Sequence, residues 1–379
     1  MGVGQEEGAP GTPAGLALER LPADVLDVVP PSAWVRGIPG QMRVEARHCR
    51  AFPPELLRQR IVDIAVQEWA VFGFPVLDRL NGARLLPPGS TENPSGSVFE
   101  STIRRAPVLN ALESARLATS IGGYWAVTPE GAGIVAEQNQ VWNARGIAVR
   151  WRSPWSAAFV SWVMCEAGME THDQFRRAIA HRSYIDQAIR ARDGQAPGAA
   201  FVAYDIGEQA VEPGDLLCTS RRPAYRNIAE RRRQMGVGAR SHCDIVVEVD
   251  EAGERILAIG GNVLRSVSLK VLPGEAAPGG GVRPRTTPQV PLFAHLKLRA
   301  DPIGPNALAR SPILQGFACR NGGAPPPRAS LVAAELGLVL GEMGAGERAG
   351  APEAIGQTAR SANSEGIAES AGAGADSRC

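Results

Sequence analysis

The residue types best suited to catalysis are a serine, a histidine and an asparagine that lie far apart in the sequence, at Ser156, His242 and Asn262. Ser156 falls in the first turn of a predicted helix that has Ser153 as its N-cap and ends before Gly168. The positive end of a helix dipole stabilises an anion that develops near the first turn. A hydroxyl at this place is therefore suited to nucleophilic attack, and the alternative is a small polar residue without a role in catalysis.

His242 and Asn262 are predicted to face each other on neighbouring antiparallel strands. Asp250 and Glu254 enclose a three-residue connection that ends in Gly253, which is typical of a bulged hairpin loop. Counting outward from this turn places His242 opposite Asn262, with Cβ atoms about 4.5–5.5 Å apart. The amide would then orient the imidazole and leave its other nitrogen free as a base. A different register would separate the two side chains.

The order of the predicted elements indicates an α+β fold. Helices come first and strands follow after Gly194. This segregation predicts an antiparallel sheet packed on the helix that carries Ser156. The predicted helices cover residues 55–72, 107–121, 134–145, 153–167 and 172–192, and the predicted strands cover 199–204, 215–219, 242–250, 255–263, 266–272 and 291–299.

Composition divides the chain of 379 residues into one folded domain and two tails. Residues 1–41 and 301–379 are rich in Gly, Pro and Ala, and their sparse large apolar side chains predict disorder. Residues 42–300 remain for a single α+β domain, which is long enough to bury a full core.

Charge and hydropathy limit the partners and the location of the chain. The 40 basic and 39 acidic residues give a net charge of +1, which argues against a nucleic-acid partner. Six arginines between 221 and 233 predict a solvated helix, with an anionic polymer as the alternative partner. No apolar run approaches the length of a membrane span. Residues 1–30 lack the pattern of a signal peptide, so the sequence as written indicates the cytoplasm, and the envelope or secretion if another route exports it.

The six cysteines are scattered without the spacing of metal ligands, and the sequence predicts neither a metal site nor a cofactor. Cys165, Cys218 and Cys243 fall in predicted core elements, where a cysteine behaves as a small hydrophobic residue. Cys49 and Cys319 flank the folded domain and are candidates for pairing in an oxidising compartment.

Four ordered motifs resemble the bacterial cell-wall peptidase and amidase superfamily, and more narrowly its NlpC-type and CHAP-type members. The motifs are PWSAAFVSW at 154–162, PGDLL at 213–217, Ser241-His242, and GGN at 260–262. Together with residues 67–69 and 123–125, they make the body from Leu56 to Leu298 similar to the bacterial family labelled domain of unknown function 2272.

This resemblance implies a papain-like fold and hydrolysis of peptide or amide bonds in peptidoglycan. Carried over by position, Ser156 is the nucleophile where the relatives have cysteine, His242 is the base and Asn262 orients it. Serine must lose its proton during attack, whereas a cysteine thiol with a pKa near 8.5 can ionise beforehand. The alternative is a catalytically inactive module that binds wall fragments or a protein partner. The candidates for a substrate groove are Trp155, Asp244, Gly260 and Gly261.

Overall fold

A computed structural model describes residues 18–80, 111–222 and 224–320, and it confirms the α+β class. Short 3-10 helices cover Pro31–Trp34 and Pro54–Leu56. The α-helices of the described residues are α1 (Leu57–Val71), α2 (Ala111–Ala126), α3 (Gly131–Arg145), α4 (Ser156–Ala167), α5 (Arg182–Arg192), α6 (Ile228–Arg232) and α7 (Pro312–Arg320). The strands are β1 (Val35–Arg36), β2 (Arg43–Val44), β3 (Val76–Asp78), β4 (Phe201–Tyr204), β5 (Leu216–Arg222), β6 (Arg240–Asp250), β7 (Arg255–Val263), β8 (Ser266–Ala276), β9 (Val282–Pro284) and β10 (Leu292–Leu298).

The main sheet is mixed rather than purely antiparallel. Its strands run in the order β3-β8-β7-β6-β5-β10-β4, and β9 pairs with β8 outside this path. The pairing of β3 with β8 is parallel, and the other ladders are antiparallel. The two short strands β1 and β2 form a separate sheet. Helix α4 packs on β6 and β7, which lie near the middle of the main sheet.

Helix α4 is buried on all sides, because apolar residues dominate its whole circumference and its polar residues Ser161 and Glu166 are buried with them. It begins at Ser156, two residues after Pro154, and Trp155 is its N-cap without a side-chain hydrogen bond. The predicted cap at Ser153 is therefore wrong. The reason is packing, because the buried ring of Trp155 lies against Phe72 and Tyr124 and fixes the chain immediately before the helix.

The packed part of the chain extends beyond the predicted limits of 42 and 300. Trp34 lies in the core, and Arg20 donates to the buried carboxylate of Glu68 at 2.6 Å. On the other side, α7 buries Ile313 and Phe317. A few anchors are enough to fix these Pro- and Gly-rich segments, so composition does not reveal them. Residues 1–17 and 321–379, for which disorder is also predicted, lie outside the described residues.

The arginine-rich segment is attached to α5 rather than fully solvated. Arg231 is buried, and its guanidinium forms two hydrogen bonds with Asp186 at 2.7 and 2.8 Å. Arg232 pairs with Asp193 at the end of the same helix. These ion pairs neutralise Arg231 and Arg232, so fewer arginines of the segment are left to bind an anionic polymer.

Two disulfides correct the predicted roles of the cysteines. Cys49 is bonded to Cys165, and Cys218 is bonded to Cys243, which lies directly opposite it on the neighbouring strand. The prediction that the three core cysteines are unpaired hydrophobic residues is therefore wrong, and so is the pairing of Cys49 with Cys319. Cys319 is itself in a disulfide. Closing loops of these lengths stabilises the fold by about 3–5 kcal/mol each in the chain-entropy account.

Glu248 on β6 makes the stability of the fold dependent on pH. Its carboxyl group is 1% exposed, and burial raises its pKa from 4.5 to about 7. The folded state therefore keeps a proton that the unfolded chain releases above pH 4.5. The free energy of unfolding falls as the pH rises from 4.5 to about 7, by at most roughly 3 kcal/mol from this group.

We expect Glu248→Gln to remove this loss of stability. Relative to the parent, the variant should gain free energy of unfolding as the pH rises from 4.5 to about 7, measured by urea denaturation. Glu251→Gln, in the exposed turn after β6, is the matched control and should follow the parent. The buried Asp63 titrates in the same window in all three proteins, so the comparison isolates Glu248. Parallel curves for the parent and Glu248→Gln would contradict the prediction.

Candidate active site

Ser156 and His181 form the central contact of the site. The hydroxyl oxygen of Ser156, the first residue of α4, lies 2.6 Å from His181 Nε2. His181 immediately precedes α5 and is 4% exposed. The helix predicted over 172–192 includes this residue without any role for it, whereas α5 begins only at Arg182.

The hydrogen bonds of His181 decide which of its nitrogens carries the proton. The backbone N–H of Cys243 donates to Nδ1 at 3.2 Å, and the Tyr184 hydroxyl contacts the same nitrogen. A backbone N–H can only donate, so Nδ1 is the acceptor and Nε2 carries the hydrogen of the neutral ring. Burial lowers the pKa of His181 well below 6.5, and the neighbouring His242 lowers it further. His181 is therefore neutral at neutral pH and donates to the oxygen of Ser156.

His242 is oriented by a carboxylate of its own strand. Asp244 lies two residues further along β6, so both side chains are on the same face, and its Oδ1 is 2.8 Å from His242 Nε2. Lys270 Nζ on β8 donates to the other oxygen of Asp244 at 2.8 Å. Because an ionised carboxylate only accepts, Nε2 of His242 carries the hydrogen and Nδ1 is the unprotonated nitrogen. Within the described residues, no hydrogen bond occupies Nδ1.

The pKa shifts keep these groups in the states that the geometry requires. Burial lowers the pKa of His242, although Asp244 opposes the shift, so the ring is neutral at neutral pH. Burial alone would raise the pKa of Asp244, but His242 and Lys270 together lower it below its usual value. Burial also lowers the pKa of Lys270, with Asp244 acting against it. The result is a neutral imidazole beside a carboxylate–ammonium pair.

The two histidines lie next to each other, close to the place where α4 and β7 approach most closely. The ring centroids of His181 and His242 are 5.1 Å apart. A Cβ on Gly261 would lie 2.5 Å from the Cβ of Phe159, one turn after Ser156 on α4. A Cβ on Gly260 would lie 2.0 Å from Asp244 Oδ1 and 2.9 Å from His242 Nε2. Glycine is therefore the only residue that fits at either position.

Asn262 does not orient His242, because the paired part of the hairpin ends before these two residues are reached. Asp250 pairs with Arg255, so the connection has four residues, and a bulge between 246 and 248 then restores the register. The ladder between β6 and β7 ends where 245 pairs with 259, before His242 is reached. Asn262 has a φ of 56° in a bulge between β7 and β8. Among the described residues, the hydrogen-bond partner of His242 is Asp244 instead.

The four candidates for a substrate groove are all buried. Trp155 is part of the aromatic core, and Asp244 is 1% exposed. Gly260 and Gly261 are enclosed by the contacts that exclude a Cβ. These four residues are therefore part of the packed interior around the site.

Three residues that complete the site, His181, Tyr184 and Lys270, were not predicted from the sequence. One signal was available for Asp244, because residues two apart on a strand share a face. For His181 the only signal was scarcity, since the chain has five histidines. The described residues contain no cluster of His, Cys, Asp or Glu able to hold a metal, and no described helix is long and apolar enough to span a membrane.

One known family matches the part of the chain that holds the site. Residues 115–290 match the model of DUF2272, described as an uncharacterized protein conserved in bacteria. The predicted resemblance to DUF2272 is confirmed. The matched segment contains Ser156, His181, His242, Asp244 and Lys270, so the whole site lies within it. No curated protein and no solved structure matches the chain.

We expect Gly260→Ala to damage the candidate site by steric conflict. The new methyl group would displace the Asp244–His242 pair, and overpacking of this kind costs about 1–3 kcal/mol of unfolding free energy. Gly133→Ala is the control, because that helical glycine in α3 has no atom within 4 Å of the added Cβ. It should stabilise the protein by up to about 1 kcal/mol. Denaturant unfolding of both variants tests this, and equal stability of the two would contradict the predicted close approach.

Proposed function

We propose that this chain is a hydrolase that uses Ser156 as the nucleophile and His242 as the base, with Asp244 in the orienting role predicted for Asn262. One observation carries the proposal. His181 donates to the Ser156 oxygen, so the hydroxyl proton is not engaged by His181, and the adjacent His242 has an unprotonated Nδ1. The site thus combines a hydroxyl whose proton is available with a neutral imidazole able to accept it.

The reaction follows the order of acyl transfer. Oγ of Ser156 attacks the carbonyl carbon while its proton moves to Nδ1 of His242. The imidazolium then gives this proton to the leaving nitrogen as the carbon–nitrogen bond breaks. A water molecule then gives a proton to Nδ1 of His242 and attacks the acyl carbon. The ester bond to Ser156 breaks, and Nδ1 returns the proton to the serine oxygen. Asp244 stabilises the transient positive charge on His242 from the Nε2 side.

Two further features favour negative charge at the nucleophile. The Nε2–H of His181 is aimed at the Ser156 oxygen, where it would stabilise developing alkoxide character. Ser156 is the first residue of α4, so the free amides of the first turn and the helix dipole act on the same region. These donors are fixed by the fold before substrate arrives, which is the condition for effective electrostatic stabilisation.

The substrate class rests on the resemblance to NlpC-type and CHAP-type enzymes. It suggests a papain-like arrangement and a peptide or amide bond of peptidoglycan as the target. The two disulfides support this assignment, because such bonds persist in oxidising compartments outside the cytoplasm, where the cell wall lies. An inactive module that binds wall fragments is the alternative, and covalent labelling of the nucleophile separates the two.

A fluorophosphonate probe tests the nucleophile whatever the natural substrate is. We expect the parent to be labelled at Ser156, located by mass spectrometry of the tryptic peptide. Ser156→Ala and His242→Gln should abolish labelling, whereas Ser266→Ala, which removes another partly exposed serine, should leave it unchanged. His181→Gln should slow labelling by roughly 10–1000-fold without abolishing it, since it removes a donor rather than the base. Labelling that needs His181 but not His242 would reverse the assignment of the base, and no labelling at all would favour the inactive module.

The pH dependence of turnover provides a second test, on purified peptidoglycan with mass spectrometry of the released fragments. Because burial lowers the pKa of His242 below 6.5, the base remains unprotonated at pH 6.5 and activity should fall only in more acidic solution. Ser156→Cys should keep or raise the rate, since a thiolate is the better nucleophile at neutral pH. An acidic limb centred above pH 6.5 would contradict the proposed base.

A further inference from the structure

A basic cavity lies beside α5, apart from the candidate active site. Its volume is about 640 Å³, and Ser156, His181 and His242 are not among its lining residues. Four arginines line it, at positions 176, 177, 182 and 190. The acidic residues that line it are Glu130, Asp173 and Asp186.

Arg177 is the residue that most needs a ligand. It is 9% exposed, and its Nη1 donates to the backbone carbonyl oxygens of Met169 and Glu170 at 2.9 and 3.3 Å. Its Nε is buried without a hydrogen-bond partner, and no described carboxylate forms an ion pair with Arg177. An unpaired buried charge is costly in a folded protein. A bound anion would remove much of that cost.

The charge balance of the cavity favours an anion. The negative charge of Asp186 is already neutralised by the two hydrogen bonds from Arg231. Two exposed carboxylates, Glu130 and Asp173, therefore remain to balance the positive charges of the four arginines. The excess of positive charge also acts on His172. Burial lowers the pKa of His172, and the positive charges of Arg176 and Arg177 lower it further. Arg182, the first residue of α5, brings the positive end of that helix dipole to the cavity wall.

From this geometry we propose that the cavity is a binding site for a small organic anion that presents a carboxylate or phosphate group to Arg177. Nη1 of Arg177 is engaged by the two carbonyl oxygens and its Nε is buried, so the anion would meet this guanidinium through Nη2, with the arginines at 176, 182 and 190 as further donors. The volume exceeds that of a bare ion and lies in the range of small-molecule sites, so the anionic group would be part of a larger ligand. The site is independent of the chemistry at Ser156.

Calorimetric titration of the full chain with sodium phosphate and with sodium acetate, against sodium chloride at equal ionic strength, tests the proposal. We expect saturable binding of at least one of the two oxyanions, weakened roughly tenfold or more in Arg177→Gln. Arg190→Gln should also weaken anion binding. This variant leaves the contacts of Arg177 with the backbone carbonyls intact, so it tests the proposal even if Arg177→Gln is unstable. Arg43→Gln, an exposed arginine outside the cavity, is the charge-matched control and should bind like the parent.

Anion binding in the cavity and hydrolysis at Ser156 can each fail without the other, so the two sets of experiments give separate results. Binding should persist in Ser156→Ala, since that residue is not part of the cavity. Preference for phosphate or for acetate identifies the chemical class of the natural ligand. Absence of saturable binding, unchanged binding in both cavity variants, or equal weakening by Arg43→Gln would each overturn the proposal.

Discussion

The close approach of α4 to β7 is the constraint on which the site depends. Where Phe159 meets Gly261, the helix and the strand are too near for any side chain on the strand. This contact sets the distance between the first turn of α4 and the sheet, and it therefore also sets the position of Ser156. A larger residue at 261 would have to push back a helix that is buried along almost its whole length, where close packing leaves no slack.

Buried polar groups then fix the layers around this contact. Arg58 on α1 donates to Asp215 at 2.9 Å, and His295 of β10 lies 2.9 Å from the other oxygen of the same carboxylate. Burial would raise the pKa of Asp215, but His295 and Arg58 lower it to about 2, so the carboxylate stays ionised. At the site itself, a single backbone N–H, that of Cys243, determines the tautomer of His181. The protonation of the candidate site is thus a property of the fold and not of the side chains alone.

Local patterns predicted much of this architecture, and long-range contacts account for the rest. Helical and alternating periodicity located α4, β6 and β7, because each signal lies within one element. The partner of His242 was mispredicted because the ladder between β6 and β7 ends at the pair of 245 with 259 and β7 then bulges at Asn262, and neither the end of a ladder nor a bulge can be read from the hairpin sequence. His181 was missed because its loop reaches Ser156 only through tertiary packing. The disulfide between Cys49 and Cys165 joins residues 116 positions apart, beyond any local pattern.

The serine at the head of α4 has a consequence for resistance to oxidants. All cysteines in the described part of the chain are already in disulfides. A thiolate at position 156 could be oxidised to sulfenic and sulfinic acids or be alkylated by thiol reagents. A hydroxyl undergoes neither reaction. Peroxide and alkylating agents that inactivate thiol enzymes would therefore leave the Ser156 hydroxyl intact.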